Sequence, residues 1–360
     1  MIAFDVLTAI PILGRMQAAV LYGREDVRVE DVQPAKLKRG EVRVRIRAAL
    51  TCGTDLKVFK RGYHATMIRP PAVFGHELAG EICEIAAGVK GWKIGDRVVV
   101  ANSAPCGRCF FCKHDQENLC DDLLFLNGAY AESIVVPARL VEKNMLRLKK
   151  TTSFRDAAMT EPLACAVQGW EDLKMRAGES VLVIGAGPLG LMFVALARDA
   201  KCVVTVAGRG EARLQAARKL GAKHVIDVTK ATDFVAAIRE NATKPFDAVI
   251  DGVGKPEVWE AAVQLVRKGG KVNFFGGCPS GTTVSLDTGR LHYSNLTLLA
   301  SYHHTPHTIR RALQLIESGK VPAKEFINGE CTLAQLPELF RSMTAGNRAV
   351  KTFVHTSART

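Results

Sequence analysis

Several groups of residues in this chain have types and spacings suited to chemistry. Cys52 stands in Cys52-Gly53-Thr54-Asp55, His76 and Glu77 in Gly75-His76-Glu77-Leu78-Ala79-Gly80, and Glu161 in Thr160-Glu161-Pro162-Leu163. One thiolate, one imidazole and one or two carboxylates make the open ligand set of a catalytic zinc, which keeps a place free for water or substrate. The expected ligands are Cys52, His76 and Glu161, with Glu77 as a fourth ligand or an adjoining neighbour. Zinc there would polarise a substrate oxygen, as it lowers the pKa of bound water from ~15.7 to about 7. Thr54 is expected to relay the proton of the substrate oxygen toward solvent, and Asp55 to accept from the free nitrogen of His76.

A second group is Cys106, Cys109, Cys112 and Cys120, spaced C-x2-C-x2-C-x7-C. Such spacing can wrap four thiolates around one structural zinc, with Gly107 easing the turn. An iron–sulfur cluster is the alternative, but the bacterial cluster run has a differently spaced fourth Cys followed by Pro. Cys83, Cys165, Cys202, Cys278 and Cys331 are scattered singly in apolar surroundings and are expected to be small core residues. A disulfide framework is not expected in a chain of this size.

The third group is Gly185-Ala186-Gly187-Pro188-Leu189-Gly190, directly after the apolar run Ser180-Val181-Leu182-Val183-Ile184. A G-x-G-x-x-G that follows a buried strand and opens a helix is a dinucleotide loop. Gly185 permits the turn, Gly187 lets the backbone approach the pyrophosphate, and Gly190 allows close packing of the helix that Pro188 and Leu189 begin. An NAD site usually carries an acid at the end of the next strand. Here Gly208 takes that place and Arg209 follows. Without a carboxylate nothing repels a 2′-phosphate, and a guanidinium can hold it bidentately. NADP is therefore expected in preference to NAD, with NAD possible; a solvated arginine is the plainer alternative.

The elements that must position these residues fall into two textures. From Met16 to about Lys150 the pattern is short and strand-like, as in the alternating Glu41-Val42-Arg43-Val44-Arg45-Ile46-Arg47. Frequent turns suggest a small, irregular β-barrel or sandwich with the four-cysteine stretch as a surface lobe. From about Ser153, helices and apolar strands alternate. A helix over Arg155–Trp170 is followed by strands at Ser180–Ile184, Val203–Ala207, Val225–Asp227, Ala248–Asp251 and Lys271–Phe275. That alternation predicts a doubly wound parallel sheet, and the fold class is α/β. The tail Lys351–Val354 is strand-like and is expected to rejoin the first domain.

The chain has 360 residues, enough for about two domains. No apolar run approaches the ~20 residues that span a bilayer, so no membrane partner is expected. Residues 1–15 lack a basic start and a cleavage site and are taken as an extension before the first strand. The net charge is +13 (49 Lys+Arg against 36 Asp+Glu), but no run of basic residues gathers as a nucleic-acid tail would. The expectation is a cytoplasmic protein that binds no nucleic acid.

On these residues the chain resembles the zinc-dependent medium-chain dehydrogenase/reductases of the alcohol dehydrogenase superfamily, from about Met16 to its end. Gly75-His76-Glu77-x-x-Gly80 followed by Gly95-Asp96-Arg97-Val98 matches their zinc signature, and the four-cysteine lobe, the Cys52–Asp55 stretch and Gly185–Gly190 agree. The resemblance implies a GroES-like, β-rich catalytic domain over 16–155 and 298–360, with a Rossmann domain over 156–297. It implies two zincs per chain, one catalytic and one structural, and a dimer or tetramer associating through the Rossmann sheet edge. Thr160-Glu161-Pro162-Leu163 is similar to the polyol (sorbitol and iditol) and threonine dehydrogenase branch, where a Glu replaces a Cys ligand. Threonine dehydrogenases commonly carry a His two residues after the Asp of this stretch; this chain has Lys57. Tyr302, with His303 and His304, stands where the last Rossmann strand meets the cleft; it either touches nicotinamide or substrate, or is strand-end polarity. The expected reaction interconverts a secondary alcohol (polyol, sugar or cyclitol) and its ketone by hydride transfer. The alternatives are a threonine, amino-alcohol or simple secondary alcohol dehydrogenase and, outside enzymes, a zinc-binding interaction protein.

Overall fold

A computed structural model of the chain describes residues 14–64, 66–346 and 349–356. The expected extension over 1–15 lies outside the described residues except for Gly14 and Arg15. The chain forms two compact units, one running through Glu161 and resuming at Asn328, the other Pro162–Ile327.

The first unit is β-rich. Its main sheet runs Met145–Arg147, Arg97–Val100, Glu77–Ile85, Val42–Leu50, Lys351–His355, Ile327–Thr332, with Ser133–Val136 also paired to Val42–Leu50. The alternation read in Val42–Arg47 is the pattern of this central strand, which turns Val42, Val44 and Ile46 into the core. Met16–Gly23, Asp26–Val32 and Ala72–Val73 form a smaller sheet. Phe59, Phe74, Tyr130 and Phe340 fill the core beneath the His76 segment: Phe340 lies 5.3 Å from the Phe59 ring and 5.4 Å from Phe74. The tail strand does rejoin this unit, with Phe353 paired to Leu50 and Val354 to Ala49. The two-residue strands Ser103–Ala104 and Leu124–Phe125 pair with each other and bracket the four-cysteine lobe.

The second unit holds a parallel sheet in the order His224–Asp227, Val203–Gly208, Ser180–Ile184, Phe246–Asp251, Val266–Phe274, Thr297–Leu299. This is the doubly wound order 3-2-1-4-5-6, whose strand order reverses beside Ser180–Ile184. That strand is buried along its whole length, as its unbroken apolar run requires.

The unit boundaries differ from those expected. The second unit extends to Ile327 rather than ending near 297. The helix Pro306–Glu317 buries Ile309, Ala312, Leu313, Leu315 and Ile316, and Lys320 behind it pairs with Asp199 at 3.0 Å. An amphipathic helix pattern reveals a buried face but not the layer that covers it. The helix expected over Arg155–Trp170 is two helices, Phe154–Ala157 and Thr160–Leu173. Among the described residues no helix is long and apolar enough to cross a membrane.

Candidate active site

Cys52 caps the helix Gly53–Arg61. Its sulfur accepts from the Thr54 amide at 3.4 Å, and its own amide donates to Asp55 Oδ2 at 3.1 Å. This reciprocal cap pins the sulfur at the positive end of the helix dipole and fixes the Asp55 side chain at the same time. Thr54 is half-buried on the first turn; Lys57, a turn further on, is exposed.

His76 is delivered by Gly75, whose φ of +88° lies in the left-handed region. A side chain on Gly75 would also meet the Tyr130 ring at 2.6 Å, so backbone and space both require glycine. From there Glu77 opens the strand Glu77–Ile85. His76 Nδ1 donates to Asp55 Oδ1 at 2.9 Å, which fixes the tautomer and leaves Nε2 for a ligand. The Tyr130 hydroxyl, 2.5 Å from Asp55 Oδ2, holds the carboxylate from its other side. Burial would push the His76 imidazole down, but the Asp55 carboxylate and the Cys52 sulfur outweigh it and hold it well above its ordinary value.

The ligand atoms of Cys52, His76 and Glu77 all lie within 4.8 Å of one another. Glu77 is wholly buried, and its Oε2 has no aligned hydrogen bond. A sulfur and a free imidazole nitrogen converging in a buried pocket, with a carboxylate beside them, fit a zinc ion. Burial pushes the Glu77 carboxyl up to about 7, against the opposing pull of Lys351 and His76; Glu161 pushes the same way as burial. Glu161, itself buried in the first turn of Thr160–Leu173, thus acts on the same pocket. Gly95-Asp96-Arg97 supports the approach to that helix. Arg97 donates to the carbonyls of Lys149 and Lys150 at 2.9 Å and of Thr152 at 2.5 Å, and lies over the Phe154 ring.

The four cysteine sulfurs of the lobe converge: Cys106–Cys112 is 3.9 Å, Cys109–Cys112 3.5 Å and Cys109–Cys120 3.8 Å. Four sulfurs at about 2.3 Å from one zinc stand about 3.8 Å apart, so the lobe fits a single tetrahedral ion. Amides of Arg108 and Cys109 donate to Cys106 and bring it down to about 6, whereas burial pushes Cys112 up to about 12. All ten cysteines are free of disulfides. Of the five outside the two clusters only Cys331 is buried; Cys83, Cys165, Cys202 and Cys278 are half-buried, so these four are not the core residues expected of them.

In the second unit Gly185 has φ +105°, and a side chain on Gly190 would strike the Gly185 carbonyl oxygen. The helix Pro188–Asp199 starts with Gly187 as an extended cap and Pro188 in its first turn, and its first amides have no side-chain cap. Those amides are an anion site of the kind a pyrophosphate occupies. Leu189 lies in this first turn. Gly208 is buried at the end of its strand, where an added Cβ would stand 2.8 Å from the Ala186 Cβ; Arg209 is exposed beside it. Tyr302 is half-exposed beyond the edge strand Thr297–Leu299, three strands along the sheet from Ser180–Ile184 and past the same C-terminal edge.

Two residues that sequence reasoning passed over join the first site. They are Tyr130, whose hydroxyl holds Asp55, and Lys351 of the strand-like tail, whose ammonium lies 2.7 Å from Glu77 Oε2. His64 is pushed down by burial and by the charge of His76, which places it near the cluster.

Two family models match this chain: the alcohol dehydrogenase GroES-like domain over residues 38–145 and the zinc-binding dehydrogenase domain over 188–318. An L-threonine 3-dehydrogenase of Pyrococcus furiosus is 34% identical over 346 residues, covering 92% of this chain and 95% of the relative. A sorbitol dehydrogenase of Bacillus subtilis is 27% identical over 350 residues, covering 94% and 97%. A solved structure described as a zinc-binding dehydrogenase of Sinorhizobium meliloti, bound to NADP, superposes with a TM-score of 0.85 at 28% identity, covering 95% of this chain and 99% of that one. With both domains and nearly the whole length matched, the chain belongs to the zinc-dependent medium-chain dehydrogenase/reductase family and is an oxidoreductase.

Proposed function

We propose that this enzyme oxidises a secondary alcohol of a polyol, sugar or cyclitol to its ketone and runs the reverse reduction, using NADP in preference to NAD. The observation that supports the reading is the convergence of Cys52, His76 and Glu77 in one buried pocket, with Asp55 behind the imidazole. In this reading Cys52, His76 and Glu161 hold the catalytic zinc, with Glu77 beside them. When bound, zinc supplies Lewis acidity to the substrate oxygen and makes its hydroxyl proton easier to lose. Asp55 fixes the imidazole, and Thr54 would take the hydroxyl proton toward solvent; a nicotinamide held at the dinucleotide loop would supply the acceptor for the hydride of the carbinol carbon. The loop Gly185, Gly187, Pro188, Leu189, Gly190 binds the pyrophosphate, Gly208 and Arg209 receive the 2′-phosphate, and Tyr302 touches the nicotinamide side. A second zinc in Cys106, Cys109, Cys112 and Cys120 is structural.

The chain is a cytoplasmic homodimer or homotetramer in this reading, with Thr297–Leu299 as the sheet edge available for pairing. A threonine substrate is the second reading, favoured by the 34% identity to a threonine dehydrogenase. Against it stands Lys57, exposed on the helix Gly53–Arg61 where those enzymes commonly carry a histidine. The zinc-binding interaction protein is not favoured, since such a protein would have no use for the dinucleotide loop. The test is zinc content per chain, followed by a panel of polyols, sugars, cyclitols and threonine with NADP and NAD. Two zincs and NADP-linked turnover of a polyol or sugar support the proposal. Turnover confined to threonine would replace it with the second reading.

A further inference from the structure

Lys351 is buried to 1% exposure on the strand Lys351–His355, in a unit whose other cations are mostly at the surface. Its ammonium donates to Glu77 Oε1 at 2.8 Å and to the Thr51 carbonyl at 3.0 Å, and stands 2.7 Å from Glu77 Oε2. The adjoining backbone is tied as well: Thr51 N donates to Thr352 O at 3.0 Å, and Thr352 N to Thr51 Oγ1 at 3.1 Å. One side chain therefore links the segment that carries Cys52, the segment that carries His76 and the tail strand. Sealing an ammonium from water is costly unless it is paired and its donors are used. A charge kept there at that cost has a local task.

Glu77 lies close enough to Cys52 and His76 to share an ion with them. A carboxylate already engaged by an ammonium at both oxygens is a poor donor to a cation, because Lys351 has neutralised the charge that would attract it. We infer that Lys351 is a positioning residue that keeps Glu77 out of the coordination shell of the metal, so that the place Glu77 would fill stays open for substrate. Remove the ammonium, and Glu77 Oε2, which has no aligned hydrogen bond, becomes the nearest spare anionic donor. This rests on the reading of Cys52 and His76 as zinc ligands.

The experiment measures zinc release from the purified holoenzyme into a chromophoric chelator, with the zinc of the four-cysteine lobe as internal reference. Lys351→Met should slow release of the other zinc roughly tenfold, the lower end of what neighbours of metal ligands commonly contribute. Lys351→Arg, which keeps the charge, should stay near the wild-type rate, and the double variant Lys351→Met/Glu77→Gln should return to it. Unchanged or faster release in Lys351→Met would overturn the proposal. Should that variant fail to fold, Glu77→Gln alone decides. Release within about threefold of wild type agrees with a carboxylate outside the shell, and a tenfold acceleration means Glu77 is already a ligand and overturns it. If Cys52→Ala retains both zincs, the ligand reading itself falls, and the role of Lys351 with it.

Discussion

Asp55 grips the imidazole of His76 from behind, Oδ1 to Nδ1 at 2.9 Å, and Tyr130 grips Asp55 in turn. Each partner is buried, so neither contact is shared with bulk water. The chain of three sets the direction in which the free nitrogen of His76 points. Asp55→Asn should therefore weaken zinc retention and lower kcat/KM by roughly 10–100-fold, with the fold intact by circular dichroism. Tyr130→Phe keeps the Asp55–His76 contact and removes only a donor. It should cost about 1 kcal/mol of stability and leave kcat within about threefold. Equal losses of activity in the two variants would show that Asp55 does not act through His76.

Gly208 and Arg209 form the cofactor-selecting corner in the proposed reading. Asp227, in register with Gly208 on the neighbouring strand, is held below its ordinary value by the Thr229 hydroxyl and amide, with help from the charges of Lys230 and Arg209. Arg209 thus carries its charge close to the strand ends. Arg209→Ala should raise the KM for NADP by about 10–100-fold, the worth of charge-assisted hydrogen bonds, and leave that for NAD within about threefold. Gly208→Asp should not convert the enzyme cleanly to NAD, because its Cβ would stand 2.8 Å from Ala186. Adding Ala186→Gly should recover NAD turnover. Steady-state kinetics with both cofactors checks each point, and equal effects of Arg209→Ala on NADP and NAD would remove the 2′-phosphate assignment.

Much of this was legible in the sequence because local spacing reports local geometry. The glycines of Gly185–Gly190, the cysteines from Cys106 to Cys120 and the buried run Ser180–Ile184 each announce their geometry within a few residues. Cys52 and His76 were legible through the glycines and acid beside them. Lys351 was not: its partners Glu77 and Thr51 lie 274 and 300 residues away in the chain. Nothing short-range marks a lysine in an alternating strand as buried, since the same pattern describes an edge strand with one face in water. Tyr130 was hidden for the same reason, its hydroxyl meeting Asp55 from 75 residues away. The end of the second unit at Ile327 depended on which layer the helix Pro306–Glu317 covers, a tertiary fact that its periodicity does not carry.

The four-cysteine lobe is held by its sulfurs and by short strands rather than by an apolar core of its own, since Phe110 and Leu119 are exposed. Cys109→Ser should remove one zinc per chain and leave the lobe open to proteolysis between Ser103 and Phe125, the pair that brackets it. The other zinc should remain. Elemental analysis beside limited proteolysis reads both effects, and retention of two zincs would refute a structural ion in the lobe.

Asp247 supports the parallel sheet by joining three neighbouring strands. Its Oδ2 accepts from the Ser180 amide at 2.7 Å and hydroxyl at 2.8 Å, and its Oδ1 from Arg267 Nε at 2.7 Å. Burial pushes this carboxyl up, but the Ser180 donors and Arg267 outweigh it and hold it below its ordinary value. A carboxyl whose folded pKa is depressed stabilises the fold fully above its unfolded value of about 3.9, and loses that contribution as pH falls through the folded value. Asp247→Asn should therefore lower stability at pH 7 by about 1–3 kcal/mol. Below about pH 4 the gap to wild type should narrow as the wild-type carboxyl takes up its proton. Thermal unfolding at pH 7 and near pH 3 distinguishes the two contributions. A gap that closes assigns the stabilisation to the carboxylate charge, whereas an equal gap at both pH values would assign it to hydrogen-bond geometry that asparagine fails to reproduce.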